Sequence, residues 1–235
     1  MSDSLYDGTI DWTRYWEDAD RNDRKDASAS ADLIVGPLRE FFEQRGVPGS
    51  YADVGCGPGA AVFETAEWYP ETTVVGYDSA EPILEENREK AHRGLRGNIS
   101  FERTVLPEFD PDQQFDVISA FYTLCYVDEV DQALVNLFDA VAPGGYLLFT
   151  YHNRYAQSIF ESIAESPHEY LDETSPWDPD HFADRFELLL AGENLLSYRR
   201  IHDVLETWPQ SIWSIAGKAD RYDAWRQNPL VFVPK

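Results

Sequence analysis

Residues 51–62, Tyr-Ala-Asp-Val-Gly-Cys-Gly-Pro-Gly-Ala-Ala-Val, hold the chemistry most readily read from this chain. A short apolar strand ends in Gly55, Gly57 and Gly59, with Asp53 two residues ahead of the first glycine and a helix-forming run, Ala60 to Glu64, directly behind. Glycine lacks a Cβ, so it allows both a tight strand-to-helix turn and close approach of backbone to a ligand. Turns of this kind, at the carboxyl ends of parallel strands, are where open α/β sheets bind nucleotide-like ligands. Val74 to Asp78 is a second apolar strand closing on a carboxylate, about twenty residues further on, where such folds place an acid on ribose hydroxyls.

The elements needed to position these groups follow in order. Ile99 to Phe101 and Phe115 to Ala120 read as buried strands, the second leading into a helical run from Val127 to Ala140. A helix stop, the Pro143-Gly144-Gly145 turn and a fifth strand ending at Thr150 come next. The alternation of strand and helix implies a mostly parallel sheet. Asp32 to Gln44 is predicted as an amphipathic helix with Leu33, Ile34, Leu38, Phe41 and Phe42 inward, and Tyr155 to Glu165 as a later helix. Phe186 to Leu190 reads as a sixth strand and Leu230 to Val233 as a seventh. The segment 194–228 between them, with Trp208, Trp213 and Trp225, reads as mainly helical. Trp12, Tyr15 and Trp16 fall on one face of a helix in a polar N-terminal arm.

The Asp-x-Gly-x-Gly-x-Gly spacing at residues 53–59 and the later Phe-Asp-Val-Ile and Ala-Pro-Gly-Gly-Tyr-Leu-Leu-Phe segments resemble the class I S-adenosylmethionine-dependent methyltransferases over roughly residues 50–152. The resemblance implies a Rossmann-like, seven-stranded, mostly parallel α/β sheet with helices on both faces and an antiparallel last strand. It suggests a single domain: an arm at 1–48, a cofactor-binding core at 49–152 and a C-terminal half at 153–235 with an insert at about 194–228. For the cofactor, S-adenosyl-L-methionine, it implies that backbone at Gly55, Cys56 and Gly57 lines the methionine moiety and that Asp53 lies beneath, near the ammonium. Asp78 would accept from the ribose hydroxyls and Ser79 would border adenine. Ala120 and Phe121 would face the transferring methyl. Many family members carry an aspartate after the third strand. Here an anchor on Ile99 to Phe101 puts Val105 at that place, with Thr104 and Leu106 beside it and backbone amides holding adenine, whereas an anchor on Leu106-Pro107 would select Glu102. Tyr15, on the aromatic arm, is a further cofactor candidate if the arm closes over the site rather than merely packing on the sheet edge.

The acceptor is less plainly written. Ser119-Ala120-Phe121-Tyr122 follows the fourth strand in place of the Asn-Pro-Pro-Tyr used on planar nitrogens, and Cys125 fits a packed thiol better than a nucleophile. His152 and Tyr122 are the candidates for a general base, and Tyr126 and Tyr151 could line a pocket. Asp116 reads as structural. A small-molecule acceptor is expected. Cofactor binding without transfer remains open, as does an NAD-linked oxidoreductase, since Gly55, Gly57 and Ala60 also satisfy Gly-x-Gly-x-x-Ala.

Charge narrows the setting. Forty-three acidic residues face nineteen basic ones, only four of them lysine, for a net charge of −24. Such a surface repels itself in dilute salt. It resembles proteins of salt-accumulating halophilic archaea, where the Debye length falls to ~3 Å near 1 M and the repulsion is screened. It argues against a nucleic-acid substrate. No apolar run suggests a membrane span, two cysteines make neither a metal cluster nor a disulfide framework, and a cytoplasmic location is expected.

Overall fold

The computed structural model describes residues 10–18, 31–94, 97–172, 175, 177–217, 226 and 228–235. Trp225 and most of the polar arm lie outside the described residues. The strands are β1 (Ser50–Val54), β2 (Thr73–Asp78), β3 (Ile99–Arg103), β4 (Phe115–Ala120), β5 (Val141–Thr150), β6 (Gln210–Ser211) and β7 (Leu230–Pro234). They form one sheet in the order β3-β2-β1-β4-β5-β7-β6. β1 to β5 pair in parallel, and β7 runs antiparallel to both of its neighbours. The chain therefore steps outward from β1 to β3, crosses back over β1 and continues with β4 on the other side. That reversal opens a crevice beyond the carboxyl ends of β1 and β4, the usual ligand position in open α/β sheets.

Alternating side chains of the strands fill two apolar layers. On one face Val62, Phe63 and Ala66 of the helix Ala60–Trp68 join Ile34, Leu38, Phe41 and Phe42 of the helix Ala31–Arg45. On the other, Val130, Ala133, Leu134 and Leu137 of the helix Val130–Asp139 pack with Ile201 and Leu205 of the helix Tyr198–Leu205. Each buried Leu or Phe contributes roughly 1.5–3 kcal/mol. The two layers clamp the sheet and leave its carboxyl edge to the loops.

Three expectations from the sequence are corrected. Phe186 to Leu190 is not a strand: Phe182–Arg185 and Glu187–Ala191 are short helices. Phe182, Phe186 and Leu189 recur at the helical period and join Phe160 and Leu171 in a separate apolar cluster. The sixth strand is instead Gln210–Ser211, within the segment expected to be mainly helical. There the described residues give one helix, Tyr198–Leu205, followed by that strand and a 3-10 turn at Ile212–Ser214. The helix after β4 begins at Val130, behind a 3-10 turn at Leu124–Tyr126, not at Val127.

The Pro-Gly-Gly segment lies inside β5 as a bulge. Phe115 pairs with Val141 and Val117 with Tyr146, so two steps along β4 answer five along β5. Gly145 crosses so close to β4 that a Cβ there would stand 2.4 Å from the Asp116 carbonyl oxygen and 3.0 Å from that of Ala142. Asp116 itself accepts from the Gly49 and Ser50 amides at 2.8 and 3.0 Å, the structural role expected of it.

Gly145→Ala should cost about 1–3 kcal/mol, because backbone crowds the new methyl on two sides. Gly36→Ala should move stability far less: the position is exposed and no atom beyond its own stretch of helix lies within 4 Å of the added carbon, but Pro37 follows it and crowds that carbon. A urea midpoint lowered for Gly145→Ala and little changed for Gly36→Ala would bear this out, and equal midpoints would refute it.

Candidate active site

The glycine turn is fastened to the end of β2. The amides of Gly55 and Cys56 both donate to the Tyr77 carbonyl at 2.8 Å, and the Gly57 amide donates to the Asp78 carboxylate at 2.8 Å. The second Asp78 oxygen accepts from the Ala80 amide at 3.1 Å. Asn87, from the helix Glu81–Arg93, donates to the Gly57 carbonyl at 2.7 Å. Gly55 has φ +77, and a Cβ on it would lie 2.1 Å from the Thr123 hydroxyl oxygen, so only glycine fits. The loop after β4 thus presses directly on the glycine turn.

Beneath the turn runs a buried polar chain. Register sets Asp53 of β1 against Ser119 of β4. Ser119 donates to Asp53 at 2.5 Å, and the Tyr51 hydroxyl sits 2.6 Å from the same serine oxygen. Burial pushes the Asp53 carboxyl up to about 7; the Ser119 hydrogen bond opposes that rise and the nearby Asp78 charge adds to it. Asp78 is also raised by burial, against the amides of Ala80, Gly57 and Ser79, which favour its charged form. The same burial, with both carboxylates near, drives the Cys56 thiol well above its ordinary value, so it is an unreactive filler.

Beyond β4, Ala120 is fully buried and Phe121 partly so. Tyr122 has φ +55, an uncommon conformation for a bulky residue, held by its amide donating to the Thr150 hydroxyl at 2.7 Å. Burial raises the Tyr122 phenol, which keeps its proton and makes a poor base. His152 is buried past β5, with its ring 5.3 Å from that of Phe160 and no partner on Nδ1. Burial lowers it to about 4, so at neutral pH it is uncharged. Cys125 is buried, its thiol pushed up to about 12 by desolvation. At the third strand, the Thr104 amide donates to the Asp78 carbonyl at 3.0 Å, which brings residues 104–106 beside the end of β2. Val105 is buried and bridges to Glu108, while Glu102 is exposed. The Ser79 carbonyl accepts from Arg103 at 2.9 Å.

The aromatic arm forms the helix Trp12–Asp18, and Trp16 is buried against Ala80 and Ile83. It is the Trp16 ring, and not that of Tyr15, that approaches Gly57: a Cβ there would lie 3.7 Å from Trp16 Cζ2. Tyr15 stacks edge-on against Trp12 and Trp16 and faces Arg185. Sequence reading missed Asn87, Thr123, Thr150 and Arg185. None falls in a recognisable motif, and only register and loop path bring them to this edge. Among the described residues no cluster of three or more His, Cys, Asp or Glu is arranged to hold a metal.

The raised Asp53 carboxyl has a consequence for stability. Its pKa is about 3.8 as a free group and about 7 when folded without ligand. The folded state therefore binds the proton more tightly; this contribution is fully present below pH 4 and is lost as pH rises to about 7. Asp53→Asn removes that loss. The variant should melt above the parent at about pH 8, with the gap shrinking at about pH 5, in thermal scans of ligand-free protein. Parallel pH profiles for the two proteins would contradict the assignment.

Residues 52–147 match the family model described as a methyltransferase domain. Trans-aconitate 2-methyltransferase of Variovorax paradoxus (strain S110) is 33% identical over 165 residues, which are 68% of this chain and 59% of that protein. The chain thus spans less than two thirds of that relative's length. Among solved structures, the plantazolicin methyltransferase BpumL, in complex with a pentazolic desmethylPZN analog and SAH, superposes with a TM-score of 0.62 at 16% identity. The match covers 95% of this chain and 94% of that one. Magnesium protoporphyrin IX methyltransferase (ChlM) of Synechocystis PCC 6803, with bound SAH, gives 0.59 at 14%, covering 95% and 92%. At such identities the likeness is one of fold. The glycine turn and Asp78 both lie inside residues 52–147, the stretch that matches the methyltransferase-domain model.

Proposed function

We propose that the protein is an S-adenosylmethionine-dependent methyltransferase acting on a small-molecule acceptor. The observation that carries this reading is the Gly57 amide tied to the Asp78 carboxylate at the sheet's reversal point, inside the matched domain. The Gly57 and Ala80 amides engage the two Asp78 oxygens, and the carboxylate's remaining acceptor capacity would serve the ribose hydroxyls. Gly55 to Gly57 would line the methionine moiety, and Asp53, beneath them, would ionise as an ammonium arrives. Ser79 and residues 104–106 would border adenine by backbone and packing, since Glu102 is exposed. Trp16 would cover the turn, with Tyr15 beside it. The methyltransferase-domain match favours methyl transfer over hydride transfer to NAD. The names of the relatives, which include trans-aconitate and plantazolicin methyltransferases, support a small acceptor.

S-adenosylmethionine, when bound, supplies a methyl group on a sulfonium: the acceptor's lone pair forms the new bond to carbon while the carbon–sulfur pair returns to sulfur. The protein's task is alignment, which lowers a barrier by ~7–11 kcal/mol when done well. Ala120 and Phe121 would form the wall under the methyl, and the strained Tyr122 backbone fixes where that wall ends. Neither candidate base is favoured by its surroundings: burial keeps the Tyr122 phenol protonated and makes the His152 imidazole a weak proton acceptor.

Asp78→Ala should weaken S-adenosylhomocysteine binding by about 1.5–3 kcal/mol, as expected for loss of hydrogen bonds to a charged group. Calorimetric titration checks it, and unchanged affinity would remove Asp78 from the site. We also infer an intracellular setting of high salt. The acidic surface suits it, and no helix among the described residues is long and apolar enough to cross a membrane. The same charge disfavours a polyanionic nucleic-acid substrate. The melting temperature should rise steeply between about 0.1 and 2 M KCl, as the Debye length falls from ~10 Å to below ~3 Å. A flat curve would defeat the halophilic reading.

A further inference from the structure

Arg185 ends the short helix Phe182–Arg185 and sits where three separate parts of the chain converge. Its Nε donates to the Tyr126 hydroxyl at 3.1 Å. Its guanidinium carbon lies 5.7 Å from the Trp12 ring, 5.6 Å from Tyr15, 5.7 Å from Tyr126 and 5.8 Å from Phe186. Trp12 in turn packs edge-on against Tyr126 at 4.8 Å. Tyr126 closes the 3-10 turn just beyond β4, and Trp12 and Tyr15 belong to the same helix as Trp16, which covers Gly57. One guanidinium is therefore framed by the arm that covers the glycine turn and by the loop that leaves β4.

The placement has a chemical direction. A guanidinium stays charged at any working pH and offers five N–H donors in a planar fork matched to a carboxylate. The Tyr126 oxygen accepts from Nε, which makes its hydroxyl part of the same polar group, and burial keeps that phenol protonated. Tyr15 supplies a second phenol at the same group. Aromatic faces around the fork exclude water and strengthen any ion pair made there. A chain of net charge −24 repels anions at long range, so an anionic acceptor needs a fixed local cation of this kind.

We propose that Arg185, with the hydroxyls of Tyr126 and Tyr15, holds a carboxylate of the methyl acceptor, making the substrate class small organic acids. This rests on the methyltransferase reading above. The seated carboxylate is the anchor and not the methylated atom, because oxygens engaged by N–H and O–H donors are poorer nucleophiles. The acceptor then carries its nucleophile elsewhere on the molecule.

The test uses the full chain loaded with S-adenosylhomocysteine, at constant ionic strength. Fumarate, glutarate and citrate are titrated beside their neutral amides, followed by tryptophan fluorescence, since Trp12 borders the fork, and by calorimetry. At least one acid should bind saturably while its amide does not. Arg185→Gln should weaken that acid at least tenfold with S-adenosylhomocysteine affinity held within twofold. Arg185→Lys should fall between, and Tyr126→Phe should weaken the acid without touching the cofactor. Acids and amides binding alike, Arg185→Gln retaining the acid, or no acid binding the loaded parent would each overturn the proposal. So would a parallel loss of acid and cofactor in both Arg185 variants and in Tyr126→Phe, the mark of a purely structural cation. A parent chain that bound no S-adenosylhomocysteine would overturn the methyltransferase reading itself, a result distinct from all of these.

Discussion

The Gly57 amide and the Asp78 carboxylate meet at 2.8 Å, and the rest of the site depends on that bond. It joins the turn after β1 to the end of β2, so the glycine loop has one position relative to the acid. The partner bond from the Ala80 amide fixes the carboxylate plane, and Asn87 holds the far side of Gly57. Strand register makes the meeting possible: Val54 pairs with Tyr77, which brings both strand ends to the same level. A slip of one residue would turn every side chain of β1 to the wrong face. The buried layers on both sides of the sheet thus fix the register and, through it, the geometry of the turn.

Two carboxylates under one loop oppose folding. Asp53 and Asp78 are buried, and both raise the proton affinity of the Cys56 thiol beside them. Ser119 offsets part of the burial cost for Asp53, and backbone amides do so for Asp78. What remains is buried negative charge, which a nearby cation would offset. A ligand with an ammonium group and vicinal hydroxyls suits both acids at once. Carboxyls with raised proton affinity in a crevice of this kind are the usual pattern at functional sites.

How much of this was written in the sequence follows from range. The glycine turn, Asp78, five of the strands and the last apolar run as β7 were legible because each is a local pattern: apolar runs, turn residues, a carboxylate at a strand end; the antiparallel sense of β7 came only from the family resemblance. Phe186 to Leu190 was misread because a short apolar run has no period of its own, and the packing of Phe182, Phe186 and Leu189 around Phe160 decided for helix. β6 could not be found, since two residues pair only because β7 offers an edge. The same limit hid Asn87, Thr123 and Arg185, whose partners lie 30, 69 and 59 residues away. Tyr15 was placed on the correct helix face, but which ring of that face meets Gly57 is set by how the arm leans on Ala80 and Ile83.

The arm links the two halves of the crevice by packing alone. Trp16 lies over Gly57, Tyr15 is wedged against Trp16, and Trp12 reaches Tyr126 and Arg185, so one helix of seven residues touches the glycine turn and the loop beyond β4. Rings in edge-to-face contact contribute about 0.5–1.5 kcal/mol per pair beyond buried area. A helix this short is not stable by itself. Its order therefore comes from the surfaces it bridges, and anything that fixes either surface favours the arm in place.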